Sequence, residues 1–497
     1  MTVIQHASSE QSFLTLHLLI DETSRTQRAN EWGSFPRNTE RLAKVRDDKE
    51  AGDLIGGHPR GLYYLAFTEM WERFSFYGMS ALLTLYMVKE LHVPGHAEQV
   101  IGLAGLRSLF EFRAPMSNLA FASIIYGWYA GLVYFTPIVG GWVADRLLGA
   151  KRTVMIGVVL MSAGHLAMSF YSTFFIALIL LILGSGFLKG NISAQVGTLY
   201  PRADESRRSR GFTIFSTGIN IGAATGPLTT GAVAAIYGWH AGFAVAAALM
   251  LVALVAYALG QRHLPEVRPV AGQRAKAAAL TPDERRQIWF LLAVIALTIP
   301  AEIAYPMVWS IGILWIDQHV SLGTSLGVIP SSWFASADSI GAILSAPALI
   351  ALWSWQARKG SEPASVTKIG IGSALVACAA LVFAFGNLGV TQAQSVGVGW
   401  ALAGYLLMGL AWMYYWPTTL ALVSKSAPPG FTSTLMGVAF LSPFIGHTLM
   451  GWVGSFFDKM SPSMFWTIDA AIALTGAVII LSLRNFLRRG LEPATDR

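Results

Sequence analysis

The residues of this sequence that could do chemistry include a set of six charged side chains inside long apolar stretches. They are Glu69, Glu72, Arg73, Lys189, Glu302 and Asp338. The spacing of Glu69, Glu72 and Arg73 places them on one broad face of a helix. Removal from water favours the neutral form of a carboxyl group, whereas a nearby cation favours its charged form. A cluster of this kind can therefore exchange a proton for an ion pair.

The same residues could instead lock helices together through internal ion pairs. We favour a proton relay beside a polar substrate, because locking does not require unpaired acids such as Glu302 and Asp338 in the second half of the chain. A charge inside a membrane-spanning helix is costly, so such a residue indicates function by default.

The elements that position these residues are long apolar helices. The chain has 497 residues, of which 54% are hydrophobic and only 13% are charged, whereas soluble domains average about 25% charged residues. A bilayer core of ~30 Å is crossed by a helix of about 20 apolar residues. We predict an all-α membrane protein with twelve spans, near residues 62–90, 119–145, 152–171, 173–199, 211–237, 241–260, 288–317, 330–354, 369–388, 397–424, 433–457 and 464–483.

The distribution of Lys and Arg supports this count and gives an orientation. Of the 35 basic residues, 21 fall in the even-numbered loops, the linker and the C-terminal tail, and only four fall in the odd-numbered loops. Because cytoplasmic loops carry an excess of Lys and Arg, both termini are predicted to be cytoplasmic. The charged stretch 91–118 is expected to hold a short interfacial helix in an outer loop.

The widest basic loop divides the twelve spans into six and six, the arrangement of two pseudo-symmetric bundles around a midplane site. The predicted organisation is a cytoplasmic extension at 1–58, a first bundle at 59–260, a linker at 261–287, a second bundle at 288–485 and a cytoplasmic tail at 486–497.

The loop between spans 2 and 3 carries a further motif, GGWVADRLLGAKR at residues 140–152. It resembles the signature of the major facilitator superfamily in that loop, which implies the fold of that superfamily and a gating role for Asp145 and Arg146. A generic basic loop is the alternative interpretation.

Four motifs resemble those of the proton-coupled oligopeptide transporters. Residues 69–77 (EMWERFSFY) are similar to the first-helix motif ExxERFxYY, and residues 184–193 (GSGFLKGNIS) are similar to the helix 4 motif. Residues 215–222 (FSTGINIG) resemble the helix 5 signature, and residues 332–338 (SWFASAD) resemble a helix 8 stretch that commonly ends in Asn. The resemblance implies a symporter that imports di- and tripeptides with protons by alternating access.

The resemblance also implies roles for individual residues. The implied proton-coupling residues are Glu69, Glu72, Arg73, Lys189 and Glu302. The implied substrate contacts are Tyr77, Tyr134 and Asn220. We further expect Lys189 to form an ion pair with Glu69 or Glu72 when substrate is absent.

The sequence departs from the family pattern mainly where the peptide would bind. Trp412 stands where helix 10 usually places a Glu for the peptide amino group, and Asp338 stands where helix 8 usually has Asn. We therefore predict that Asp338 binds the ammonium group, with Trp412 stacking against it or the cargo. The alternative interpretation is that Asp338 faces a water-filled vestibule and contributes little to binding. The positions of Ser80, Ser216 and Ala439 also differ, which leaves open another small cargo, such as a modified amino acid, another metabolite or nitrate.

Other functions and partners are not supported by the sequence. No P-loop, HExxH or serine-nucleophile motif is present, so neither ATP-driven transport nor an enzyme is expected. We expect no cofactor, no metal, no nucleic acid and no obligate protein partner, but only substrate, protons and the bilayer of the cell membrane. Two histidines inside helices, His165 and His447, are expected to hydrogen-bond a neighbouring helix.

Overall fold

The structure is a computed structural model that describes residues 54–112, 114–201, 204–266, 280–325, 327–389, 395–428 and 431–491. Most of the predicted N-terminal extension, residues 267–279 of the predicted linker and the tail from residue 492 lie outside the described residues.

Twelve helices form the framework of the described part of the chain. They are α1 (Arg60–Tyr86), α2 (Asn118–Val143), α3 (Ala150–Ala167), α4 (Phe174–Thr198), α5 (Glu205–Tyr237), α6 (Trp239–Gly260), α7 (Pro282–Ala304), α8 (Trp333–Arg358), α9 (Ser365–Gly386), α10 (Val398–Ser426), α11 (Leu441–Gly454) and α12 (Pro462–Leu491). By length and apolar composition alone, ten helical segments of the described residues could cross a membrane. The other two are α1, which carries the charged motif, and α3, whose first turn contains Lys151 and Arg152.

Short elements connect or extend these helices. The additional α-helices are Leu103–Phe110, Ile311–His319 and Thr432–Ala439. The 3-10 helices are Ala97–Gln99, Gln261–His263, Tyr305–Trp309 and Phe457–Lys459, and the π-helical turns are Met87–Leu91 and Ala144–Leu148. Two small antiparallel hairpins pair β1 (Leu54–Ile55) with β2 (His58–Pro59) and β3 (Gly323–Thr324) with β4 (Gly327–Val328).

The predicted spans and the short helix in the stretch 91–118 are found as helices, but several ends lie elsewhere. Helix α7 begins at Pro282, inside the predicted linker, because Thr281 and Glu284 form a capping box around its first turn. Helix α12 continues to Leu491, past the predicted end at 483. Hydropathy locates the apolar middle of a helix, whereas polar turns beyond the bilayer remain helical without contributing to that signal.

The helices form two six-helix bundles that meet along two seams. In the first bundle α2 and α3 pack against α4, and α6 packs against α3 and α5; in the second, α7 and α9 pack against α12, and α10 packs against α8 and α9. The seams between the bundles are α2 against α11 and α5 against α8. We call the end of the molecule where α1 ends and α2 begins the outer end, and the opposite end the inner end.

Glycines bring the helix backbones together where the site is built. A Cβ atom at Gly127 of α2 would lie 2.6 Å from the Cα atom of Gly451 on α11. Gly222 of α5 similarly faces the Met70 carbonyl and the Arg73 side chain of α1. Such contacts exclude any larger residue, so the charged motif of α1 is held at a fixed depth between α5 and the rest of the bundle.

Candidate functional site

A central cavity lies between the two bundles. Its volume is about 840 Å³, including the part continuous with open solvent. It is lined by α1, α2 and α5 from the first bundle and by the Tyr305–Trp309 turn, α8, α10 and α11 from the second. The sequence-predicted residues that line it are Tyr77, Tyr134, Asn220, Asp338 and Trp412. The five predicted substrate contacts are therefore brought together around one cavity.

The charged motif of α1 is buried beside this cavity. The Arg73 Nε atom donates a hydrogen bond of 2.9 Å to Glu69 Oε1 and lies 2.5 Å from Glu72 Oε2. The second oxygen of Glu69 and both oxygens of Glu72 are buried without a hydrogen-bond partner in the described part of the chain. One guanidinium group therefore faces two carboxyl groups that have no other donors, which is a setting that favours binding of a proton.

Lys189 of α4 lies in a different place from the one predicted. Its ammonium group is 4.9 Å from the ring centroid of Phe76 and 4.7 Å from that of Tyr134, both of which line the cavity. Arg73 and its two glutamates form the ion pairs of this region, and Lys189 pairs with neither glutamate here. The predicted ion pair is therefore not formed in this structure, because two aromatic faces hold the ammonium group instead.

Asp338 of α8 is the acid in the cavity wall of the second bundle. Its Oδ2 accepts hydrogen bonds from the Tyr305 hydroxyl group at 2.9 Å and from Trp309 Nε1 at 3.2 Å. Its Oδ1 is buried and has no partner within the described residues. The two neutral donors fix the orientation of the carboxyl group and leave one oxygen for a further donor. The half-buried Trp412 of α10 lines the same cavity.

Glu302 of α7 is buried but does not line the cavity. It is only 3% exposed, and its Oε1 has no hydrogen-bond partner in the described part of the chain. Its backbone and Cβ atoms lie directly against Gly446 of α11, where no side chain would fit. The structure thus separates Glu302 from the substrate contacts and places it where α7 and α11 pack.

Asp145 and Arg146 lie at the inner end, away from the cavity. Both are exposed and belong to the π-helical turn Ala144–Leu148 that continues α2. Their predicted gating role stays a prediction.

The outer end is closed by contacts between the bundles. The Lys89 ammonium group lies 2.5 Å from Asp317 Oδ2, which joins the end of α1 to the helix that follows α7. Thr84 and Ser310 share a hydrogen bond of 3.0 Å just below this pair. The hydroxyl group of Ser123 donates to the Gly451 carbonyl at 2.9 Å, which closes the α2–α11 seam.

Sequence reasoning missed several residues that the structure makes notable. Tyr305 and Trp309 hydrogen-bond Asp338 and fix its position. The sequence signal that could have identified them is their place shortly after Glu302 in the same span. Asp469 of α12 is fully buried with both oxygens unpartnered among the described residues, and it is an acid inside a predicted span. It lies outside the cavity lining.

The two histidines differ from their prediction. His447 hydrogen-bonds the Pro443 carbonyl of its own helix at 2.8 Å, and it lines the cavity. His165 is buried in α3 with neither ring nitrogen bonded in the described part of the chain. A helix can satisfy one histidine nitrogen through its own i−4 carbonyl, so the His447 ring did not require a neighbouring helix.

Known proteins resemble the chain over almost its whole length. The profile of the Major Facilitator Superfamily matches residues 65–450. A di-/tripeptide transporter of Lactococcus lactis subsp. cremoris is 30% identical over 501 residues, which cover 86% of this chain and 96% of that protein. The peptide transporter YePEPT of Yersinia enterocolitica subsp. palearctica serotype O:3 (strain YE-P4) is 28% identical over 506 residues, which cover 86% of this chain and 95% of that protein.

Solved structures give the same fold. A crystal structure of peptide transporter POT in complex with sulfate has a TM-score of 0.79 at 23% identity, and covers 90% of this chain and 99% of that chain. Two six-helix bundles around a central cavity with buried ionisable groups define a secondary membrane transporter of the major facilitator type, not an enzyme. The chain belongs to the proton-coupled oligopeptide transporter family of that superfamily.

Proposed function

We propose that this protein imports di- and tripeptides together with protons by alternating access. The observation that carries the proposal is the bipolar wall of the cavity. Lys189 approaches it from the first bundle through the rings of Phe76 and Tyr134, and Asp338 faces it from the second. A small peptide carries a carboxylate at one end and an ammonium group at the other, so it matches both walls.

The charged motif supplies the coupling. With Lys189 at the aromatic rings, Glu69 and Glu72 share only Arg73, and the buried group carries one excess negative charge unless it binds a proton. A proton on Glu72 removes the excess negative charge. If Lys189 returned to the two glutamates, its positive charge would displace that proton. Because a substrate carboxylate holds Lys189 on the cavity side, substrate binding and proton binding favour each other.

The contacts between the two bundles at the outer end support alternating access. Closure at the outer end by Lys89, Thr84 and Ser123 leaves the midplane cavity to be approached from the inner end. By the excess of Lys and Arg in the loops at that end, we assign the inner end to the cytoplasm and the protein to the cell membrane. Asp145 and Arg146 would then act at the cytoplasmic opening.

The test is uptake by proteoliposomes under an imposed pH gradient. The purified protein should concentrate a labelled dipeptide when the outside is acidic, and a panel of unlabelled di- and tripeptides should compete. A protonophore added at the same outside pH provides the control for the gradient. Uptake that does not depend on the pH gradient would contradict proton coupling. If no peptide of the panel competes, the proposed peptide cargo is contradicted.

A further inference from the structure

His447 occupies a position at the junction of the two bundles and the cavity. It lies on α11, its ring centroid is 4.9 Å from that of Tyr134 on α2, and both residues line the cavity. A Cβ atom at Gly127 would lie 2.8 Å from the His447 carbonyl oxygen, so the α2 backbone fixes the depth of this residue. Lys189 contacts the same Tyr134 ring at 4.7 Å. The imidazole group therefore stands on the basic side of the cavity.

The hydrogen bond of the ring determines what its other nitrogen can do. Nδ1 lies 2.8 Å from the Pro443 carbonyl oxygen, which can only accept, so Nδ1 carries the hydrogen. In the neutral ring Nε2 then has a lone pair and acts as an acceptor. Nε2 has no partner among the described residues, although the side chain lines the cavity.

We propose that His447 Nε2 accepts a hydrogen bond from the amide N–H of the bound peptide, next to the peptide carboxylate at Lys189. The inference rests on the proposed peptide cargo and assigns α11 a substrate contact. The geometry supports it in two ways. The acceptor stands beside the cation that would hold the carboxylate, and a dipeptide has its amide N–H one residue from that carboxylate. Asn220 on α5 lines the same cavity and would bind the peptide carbonyl group.

The experiment compares alanyl-alanine with its ketomethylene isostere, in which a CH2 group replaces the amide N–H and the two termini are kept. Each compound competes for uptake of a labelled dipeptide in proteoliposomes. The wild type should prefer the amide by about two- to tenfold in half-maximal concentration, which is the fold-change expected for one hydrogen bond. His447→Leu should lose this preference, because Leu offers no acceptor.

His447→Gln is the matched variant, because its amide oxygen reaches about as far as Nε2, and it should retain the preference. If His447→Leu does not reach the membrane, His447→Met serves as the variant without a strong acceptor. The preference is a ratio within each variant, so a lower amount of active protein does not imitate the effect. Equal competition by both compounds in the wild type, or a preference that persists in His447→Leu, overturns the inference while peptide transport stands. Failure of both compounds to compete overturns the proposed function as well.

Discussion

At the residue scale, the number of charges around Arg73 decides whether a proton is bound. Two carboxyl groups face one guanidinium group while Lys189 lies at the aromatic rings. Glu72 is the fully buried member of the pair, and neither of its oxygens makes a well-aligned hydrogen bond within the described residues. It is therefore the group whose proton the rest of the cluster controls.

Glu72→Gln should abolish uptake driven by a pH gradient while leaving some exchange of substrate at equal pH. The amide keeps the shape of the side chain but remains neutral, so the cycle no longer carries a proton through this position. Both modes are measured in the same proteoliposomes, with counterflow as the exchange assay. Glu205→Gln, an exposed acid in the first turn of α5, is the control and should transport normally. A Glu72→Gln protein that still concentrates substrate would show that the proton is carried elsewhere.

Asp338→Asn should raise the half-maximal concentration of competing peptides with a free amino terminus by about tenfold or more. The half-maximal concentration of amino-acetylated peptides should change much less. Asn keeps an acceptor for Tyr305 and Trp309, whose hydrogen bonds hold the side chain in place, but it removes the charge that attracts the ammonium group. The measurement is the half-maximal concentration of each peptide class against a labelled substrate. An equal effect on both classes, or none, would place the ammonium site away from Asp338.

Only those residues of the candidate site that belong to recognisable motifs could be predicted from the sequence. Except for Glu302, the charges singled out in apolar runs, together with the helix 5 Asn, lie in or beside one cavity. Charges are rare in spanning helices, which is why they could be recognised from sequence. The position of the Lys189 ammonium group was not predictable, since it depends on which rings the fold places near it. Asp469 and His447 belong to no motif, and only packing shows that one is buried without a partner and the other lines the cavity.

At the element scale, the apolar middle of each helix was predictable and its continuation was not. Span 7 is interrupted by a 3-10 turn in which Pro306 occupies the start, and span 11 is divided at Phe440. A hydropathy window averages over such breaks, because the residues inside them are themselves apolar. The interruption in span 7 has a consequence for the site, because it presents Tyr305 and Trp309 to Asp338.

Two glycines of α2 should respond to alanine in opposite directions. Gly127→Ala should lower the stability by about 1–3 kcal/mol, because its Cβ would lie 2.6 Å from the Gly451 Cα atom at the α2–α11 seam. Gly141→Ala should raise it by about 0.5–1 kcal/mol, because open space surrounds that position and Ala favours the helix. The readout is the apparent melting temperature in detergent, followed by tryptophan fluorescence. A melting temperature of Gly127→Ala equal to or above that of the parent would mean that the seam is not closely packed.

At the scale of the whole molecule, the two bundles are held closed at the outer end by several contacts of unequal strength. The Lys89–Asp317 ion pair is partly exposed, with side-chain exposures of 43% and 20%. An exposed ion pair contributes roughly 0–1 kcal/mol. The buried hydrogen bond between Thr84 and Ser310 and the bond from Ser123 to the Gly451 carbonyl remain when it is removed.

Neutralising the ion pair with Lys89→Gln or Asp317→Asn should therefore shift the equilibrium toward outer opening by no more than about fivefold. Spin labels at Tyr237→Cys and Val328→Cys report the opening, because both residues are exposed, at 76% and 75%, and flank the α5–α8 seam. The native Cys378 is first replaced by Ser to leave two labelling sites. Pulsed dipolar spectroscopy should show a larger long-distance population in either neutralised variant.

Exchanging the charges of Lys89 and Asp317 tests whether electrostatic attraction, and not the length of the two side chains, holds the outer end closed. The double variant Lys89→Asp with Asp317→Lys places opposite charges at the same two positions and should return the distance distribution toward that of the parent. High salt should move the parent toward the neutralised variants, because the pair is partly exposed and ions screen it. The buried hydrogen bonds at the seams are insensitive to salt, so part of the closed population should persist. A parent distribution that neither neutralisation nor salt changes would assign outer closure to packing and hydrogen bonds alone.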